Sequence, residues 1–260
     1  MEKYKNRTKP IKDNPIDKPQ NTAQKAAKDE TSSPGVRRAR ALLFQLSVGI
    51  AIVAFAILTF FVVTIPTFSI DLNISLALQS IHNSFFTGLM TFISWVGFSP
   101  QAFIVPLIII LVIYVLGYHW EAMASLITTL IVELLNLLAK MLVHRARPSA
   151  NLVHVTNLFK SYSFPSGHVM FYVGFFGFIC FLTFTLLKPS WIRTLLLIVF
   201  GGHIVLIGPS RIYLGEHWAS DVVGAYLLGG LCLIGSIQLY RWGKLRFFVR
   251  QPVATDHKQV

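Results

Sequence analysis

The sequence predicts an all-α protein that crosses a membrane several times, and three observations support this prediction. Of its 260 residues, 54% are hydrophobic and only 13% are charged, whereas soluble domains carry about 25% charged residues. The charge is unevenly spread, since residues 1–40 contain eleven Lys and Arg and residues 41–139 contain none. The apolar residues form long runs, which is the pattern of membrane-spanning helices.

Six apolar stretches are long enough to cross the hydrocarbon core of a bilayer, which takes roughly 20 helical residues. They are residues 41–65, 98–117, 121–144, 168–187, 191–209 and 219–240. Segment 72–97 is only moderately apolar because it includes polar residues such as Gln79 and His82. We therefore predict six transmembrane helices, with one interfacial helix over 72–97 between spans 1 and 2.

Three regions follow from this pattern. Residues 1–40 are rich in Lys, Asn, Pro, Asp and Ser, a composition too polar to bury a core, so we predict a disordered basic cytoplasmic tail. Residues 41–241 form the predicted six-span domain, and residues 242–260 a cytoplasmic C-terminal tail. The formal net charge is +12, but the basic residues lie in tails and short loops rather than on one folded face. Nucleic acid is therefore not an expected partner, whereas the bilayer is.

The Lys and Arg residues also predict the orientation, because they are enriched in the cytoplasmic loops of membrane proteins. If both termini are cytoplasmic, 18 of the 23 Lys and Arg lie on the cytoplasmic side and five on the other. We therefore expect a multi-pass protein of the plasma membrane with both termini inside. The loops around residues 144–167 and 210–218 then lie on the extracytoplasmic side.

The segment KMLVHRARP carries two cations near the end of the third span. Lys140 and Arg147 are seven residues apart, which is two helical turns, so on a helix both would share one face. Pro148 disfavours helix at Arg147, and the span is predicted to end there. A lysine inside the bilayer is costly unless it is paired or faces water; taken alone, Lys140 could also reach the interface with its long side chain.

The segment FPSGH is predicted to turn into the fourth span. Ser166 and Gly167 would lie at its start, where free backbone N–H groups suit an anion such as phosphate. By itself, Ser166 fits an ordinary helix N-cap better than a ligand-binding residue. His168, taken alone, fits the membrane interface as well as it fits a functional site.

The segment SRIYLGEHWASD carries four ionisable residues between apolar runs. His217 and Asp221 are four residues apart, so on a helix a carboxylate could hold one imidazole nitrogen and activate the other. Arg211 offers a fork of donors that matches phosphate oxygens. A helix salt bridge would explain His217 and Asp221 equally well if they stood alone. Glu216 would point elsewhere on such a helix, towards solvent.

Together the three segments predict a phosphate pocket. Its cations and helix N–H groups suit phosphate, and its two histidines, one backed by Asp221, suit covalent phosphoryl transfer. There are no Cys pairs or clustered carboxylates, so neither a metal nor a cofactor is expected.

The motifs K-x6-RP (Lys140 to Pro148), PSGH (Pro165 to His168) and SR-x5-H-x3-D (Ser210 to Asp221) resemble the three-part signature of the type 2 phosphatidic acid phosphatase superfamily. The resemblance covers roughly residues 70–240 and implies a membrane lipid phosphatase. The implied roles fall into two groups. The catalytic group comprises the nucleophile His217, its orienting partner Asp221 and the acid His168; the phosphate-binding group comprises Lys140, Arg147, Ser166, Gly167 and Arg211.

By analogy with bacterial members of that superfamily, the expected substrate is a lipid phosphate or diphosphate, with undecaprenyl diphosphate favoured. Phosphatidylglycerophosphate or phosphatidic acid is the alternative. A non-catalytic transporter or binding protein for lipid phosphates is a second class, which the intramembrane Lys140 and Glu133 would suit. Two positioned histidines argue against it, because anion binding alone does not need them.

Overall fold

The computed structural model describes residues 34–65 and 67–248, and all regular structure in these two ranges is helical. In chain order the helices are α1 (Pro34–Thr64), α2 (Ser69–Gln79), α3 (Ser84–Trp95), α4 (Gln101–Val115), α5 (His119–Val143), α6 (Gly167–Leu186), α7 (Trp191–Tyr213) and α8 (Ala219–Phe248). Helix α6 contains a π-helical segment, Tyr172–Phe176. The all-α prediction is confirmed for the described part of the chain.

Five of these helices, α1, α5, α6, α7 and α8, are long and apolar enough to cross a membrane. The predicted span 98–117 is shorter than expected, because α4 has 15 residues and therefore measures only about 22 Å. The helix is followed by a turn in which the Gly117 N–H donates to the Tyr114 carbonyl at 2.9 Å. The described residues thus contain five membrane-length helices and one shorter apolar helix.

The interfacial prediction for 72–97 needs correction, because the segment forms two helices. Helix α2 ends at Gln79 and α3 begins at Ser84. Asn83 is the N-cap of α3, and its side-chain oxygen accepts a hydrogen bond from the Phe86 N–H at 3.1 Å. An Asn side chain competes with the helix for backbone N–H groups, so it starts a new helix rather than continuing the old one.

The predicted borders of the tails also differ from the structure. Helix α1 begins at Pro34, seven residues before the predicted start, and proline is favoured at the first helical position. Helix α8 continues to Phe248, beyond the predicted border at 241, with Arg246 in its last turn where cations are favourable. The rest of both predicted tails, residues 1–33 and 249–260, lies outside the described residues.

Helix α6 is the most deeply buried of the membrane-length helices. It packs against α5, α7 and α8. Its sequence is apolar on every side, and Met170, Tyr172 and Phe175 are fully buried, as expected for a helix that is hydrophobic all round. Because α5, α7 and α8 pack around α6, one end of each of these helices lies close to the first residues of α6.

The antiparallel packing of α5 and α8 is held by a polar cluster at one end of the bundle. Glu121 near the start of α5 accepts hydrogen bonds from Lys244 Nζ at 2.6 Å and from the Tyr240 hydroxyl at 2.9 Å on α8. The other end of the bundle therefore combines the C-terminus of α5 with the N-terminus of α8. All three sequence motifs meet at that end.

Candidate active site

Lys140 and Arg147 meet without sharing a helix. Helix α5 ends at Val143, and His144 adopts a left-handed conformation (φ 53°) while its N–H donates to the Lys140 carbonyl at 3.1 Å. The prediction that α5 continues to Arg147 is therefore wrong. The chain instead turns back, so that Lys140 Nζ donates to the Tyr162 carbonyl at 2.5 Å and Arg147 Nη2 to the same oxygen at 3.5 Å.

Arg147 lies directly beside His217. Its Nη1 is 3.2 Å from His217 Nε2 and donates to the Glu216 carbonyl at 2.7 Å, while its Nε donates to the Ser161 carbonyl at 2.8 Å. Burial lowers the pKa of the Arg147 guanidinium to about 10, so it remains a cation at neutral pH. A fixed positive charge thus stands next to the imidazole nitrogen that would attack phosphorus.

The prediction placed His217 on the sixth span, but the structure places it in the turn before α8. Helix α8 begins at Ala219, and the Trp218 N–H donates to Asp221 Oδ2 at 2.9 Å. A carboxylate three residues inside a helix that accepts the N–H of the capping residue is half of a capping box. Asp221 therefore defines the start of α8 and, with it, the place of His217.

The predicted direct hydrogen bond between His217 and Asp221 also needs correction. His217 Nδ1 is 3.6 Å from Asp221 Oδ2, which is beyond hydrogen-bond range. Ser163 Oγ lies between them, 2.5 Å from Asp221 Oδ2 and 3.4 Å from His217 Nδ1. The sequence reading missed Ser163, although it stands directly before FPSGH. Nothing in its spacing distinguishes it from the neighbouring Ser161.

Burial lowers the pKa of His217 well below its ordinary value of 6.5, and the nearby Arg147 and Arg211 guanidinium groups lower it further. The imidazole is therefore neutral at neutral pH. Because Ser163 and Asp221 face Nδ1, the arrangement favours a proton there and leaves the lone pair on Nε2. This is the form that a nucleophilic histidine needs.

The second oxygen of Asp221 is held by a buried ionic network. Arg145 Nη1 donates to Asp221 Oδ1 at 2.6 Å, and Arg145 Nη2 donates to Asp71 Oδ2 on α2 at 2.8 Å. Asp71 also accepts the Ser220 N–H at 2.8 Å. The sequence reading assigned no role to Asp71 or Arg145. One signal was available, since Asp71 is the only acidic residue between positions 41 and 120.

Ser166 and His168 lie at the start of α6. Ser166 is its N-cap and is fully buried, and its N–H donates to the Asp221 carbonyl at 3.3 Å. Ser166 Oγ and His168 Nε2 have no hydrogen-bond partner among the described residues. The His168 ring packs edge-on against Phe98 at 5.0 Å, and a Cβ at Gly97 would collide with it. Both polar atoms are thus placed to bind a ligand.

Arg211, in the last turn of α7, is 0% exposed. Its Nη1 donates to Ser94 Oγ at 3.0 Å, and it forms an ion pair with Glu216. The expectation that Glu216 faces solvent is therefore wrong, because it is 1% exposed. Gly215 explains the difference: its positive φ of 67° turns the chain before α8 begins, so Glu216 is not on that helix.

The structure thus gathers the predicted residues at one end of the bundle, around His217. Among residues 34–65 and 67–248, no group of three His, Cys, Asp or Glu side chains is placed to hold a metal ion. The polar groups present are two guanidinium groups, an ammonium, a hydroxyl and two imidazoles. This set suits a phosphate group.

Comparison with known proteins agrees with this chemistry. A family model described as the PAP2 superfamily matches residues 121–244. Phosphatidylglycerophosphatase B of Bacillus subtilis (strain 168) is 36% identical over 165 residues, which are 62% of this chain and 78% of the relative. The chain belongs to the PAP2 superfamily. The resemblance predicted from its three motifs is confirmed.

This PAP2 protein is also similar to a second relative and to one solved structure. An undecaprenyl-diphosphatase of Sulfolobus acidocaldarius is 29% identical over 163 residues, covering 61% of this chain and 73% of the relative. The crystal structure of a transmembrane PAP2-type phosphatidylglycerolphosphate phosphatase from Bacillus subtilis superposes with a TM-score of 0.67 at 28% identity, covering 78% of this chain and 98% of that one.

These relatives and the apolar helices make the protein a multi-pass membrane enzyme of the lipid phosphatase class. The family match begins at Glu121. Asp71, Ser94 and Phe98, which contact the site residues, therefore come from a part of the chain outside the matched range. The N-terminal helices α2 and α3 complete the wall of the PAP2 site.

Proposed function

We propose that this PAP2 protein releases phosphate from a lipid phosphate or diphosphate through a covalent phosphohistidine on His217. The observation that carries the proposal is the setting of His217, whose Nε2 lies 3.2 Å from Arg147 Nη1 while Ser163 and Asp221 face Nδ1. A neutral, oriented imidazole beside a fixed cation is equipped to attack a phosphorus atom whose charge that cation offsets.

In the proposed first step, His217 Nε2 forms a bond to phosphorus as the bond from phosphorus to the leaving oxygen breaks. His168 gives a proton to that oxygen. The groups proposed to hold the phosphate oxygens are Lys140, Arg147, Arg211, Ser166 Oγ and the Gly167 N–H. In the second step water attacks phosphorus and gives its proton to His168, while the bond from phosphorus to His217 Nε2 breaks, which frees His217 and yields inorganic phosphate. No step uses a metal ion or cofactor.

Two lipids are candidate substrates. The predicted outward orientation favours undecaprenyl diphosphate, and the similarity to the undecaprenyl-diphosphatase of Sulfolobus acidocaldarius agrees with it. The higher identity to a phosphatidylglycerophosphatase favours phosphatidylglycerophosphate instead. Tails of either kind could approach from the bilayer, because the site lies at the end of apolar helices.

A panel assay decides the substrate. Purified protein in detergent is offered undecaprenyl diphosphate, phosphatidylglycerophosphate and phosphatidic acid, and kcat/KM for phosphate release is compared. We expect release from at least one lipid, inhibition by vanadate, and no change on adding a chelator. Lipid binding without phosphate release would support the non-catalytic alternative, and a strict magnesium requirement would contradict the proposed chemistry.

The proposed orientation places both termini in the cytoplasm and the site outside. Leu158, which is 86% exposed in the loop beside the site, and exposed Lys188, between α6 and α7, lie in loops at opposite ends of the bundle. In intact cells a membrane-impermeant maleimide should label Leu158→Cys but not Lys188→Cys, with the parent chain as control for Cys180 and Cys232. Labelling of Lys188→Cys alone would place the site in the cytoplasm.

A further inference from the structure

Glu216 is a carboxylate inside a pocket otherwise suited to anions. It is 1% exposed, forms an ion pair with the Arg211 guanidinium, and directly precedes His217. A buried negative charge here opposes the binding of a phosphate dianion, because charges interact strongly where water is excluded. The proposed chemistry of phosphate transfer does not require this carboxylate.

Arg211 does not depend on Glu216 for its position. Arg211 Nη1 donates to Ser94 Oγ at 3.0 Å. Its guanidinium carbon also lies 5.2 Å from the ring centre of Phe98 and 5.9 Å from that of Phe159. These contacts hold the Arg211 guanidinium in place without Glu216, so the ion pair with Glu216 does more than orient Arg211. It supplies a counterion to a fully buried cation.

Glu216 is itself held from the loop that follows α5. Asn157 Nδ2 donates to Glu216 Oε1 at 2.7 Å. The neighbouring Thr156 N–H donates to the Leu214 carbonyl at 3.0 Å, which ties the loop to the turn that carries Glu216. The carboxylate therefore stays next to the pocket when an anion enters.

We propose that Glu216 competes with phosphate for Arg211 and so promotes the release of inorganic phosphate at the end of each turnover. This proposal rests on the proposed phosphatase function. As phosphate leaves, Arg211 would lose its anion, and a buried cation without a counterion is costly. Glu216 supplies a replacement charge from within the site, which weakens the binding of product relative to a pocket of cations alone.

The test is Glu216→Gln, which keeps an oxygen and a similar shape but removes the charge. We expect the inhibition constant for inorganic phosphate to fall by about tenfold, equivalent to about 1.4 kcal/mol. KM should fall with it, and kcat should fall if product release limits turnover. Glu121→Gln is the matched control, since it neutralises a buried carboxylate in an ion pair at the opposite end of the bundle. It should leave both constants within about twofold.

An unchanged or higher inhibition constant in Glu216→Gln would overturn the proposal, because it would mean that Glu216 only orients Arg211. If that variant does not fold, Asn157→Ala provides the second test: it frees the carboxylate, and the constant should fall by about threefold. No change there would count equally against the proposal. Absence of phosphate release from every lipid by the parent protein would instead refute the proposed function.

Discussion

Replacing His217 with alanine is expected to lower the rate of phosphate release by more than about 10⁴-fold, because the variant lacks the proposed nucleophile. The rate is measured as inorganic phosphate released in a single turnover by protein in detergent. Quenching the parent protein with alkaline detergent after it has met a radiolabelled substrate should also trap a phosphoprotein whose label is lost in acid, and the variant should form none.

His203→Ala is the matched control for this variant. His203 lies on α7, where its Nδ1 is 2.8 Å from the Val199 carbonyl of the same helix, and it has no place in the proposed transfer. We expect its rate to stay within about threefold of the parent. Substantial phosphate release by a folded His217→Ala variant would refute the proposed nucleophile.

Replacing Asp221 with asparagine is expected to reduce kcat by about 10³-fold to 10⁴-fold, with a smaller change in KM. The carboxylate offsets the positive charge that develops on His217 during attack, and an amide cannot do so. The amide group would also present N–H donors to Arg145 or Ser163, both of which now donate to Asp221. Steady-state kinetics separates kcat from KM, and thermal unfolding measures the loss of stability.

Asp71→Asn gives the matched comparison. Asp71 accepts a hydrogen bond from the same Arg145, but it is linked to His217 only through Arg145 and Asp221. Breaking one side of a buried ion pair costs about 3–5 kcal/mol, so both variants should unfold at lower temperature. Only Asp221→Asn should lose most of its kcat. Equal losses of kcat in the two variants would indicate that Asp221 acts through stability alone.

The motifs made it predictable which ionisable residues meet at the candidate site. Only seven Lys and Arg lie in residues 41–240, so the placement of Lys140, Arg147 and Arg211 there is informative even without coordinates. Ser163 escaped prediction for the opposite reason. Serine is tolerated in many environments, and only the 2.5 Å contact of Ser163 with Asp221 distinguishes it.

The errors in the prediction share one cause. Regular helix was extended to Arg147 and to His217, whereas the chain leaves helical geometry at His144 and re-enters it at Ala219. Helix ends depend on local capping and on the partners of the terminal backbone N–H and C=O groups, which have none within the helix. The periodicity of apolar residues carries little information about either. The same error assigned Glu216 to the solvent.

The sequence by itself determined the class of the protein. Long apolar runs have to form helices in lipid, because only then do their backbone N–H and C=O groups find hydrogen-bond partners. Three spaced motifs define the family and the residues expected at its site. Only the tertiary structure decided how those residues are held. Asp71 and Ser94 come from α2 and α3, far away in the chain, and reach Arg145 and Arg211 because the helices pack side by side. Contacts between distant segments leave no periodic signal, so the partners of the buried charges emerge only from the fold.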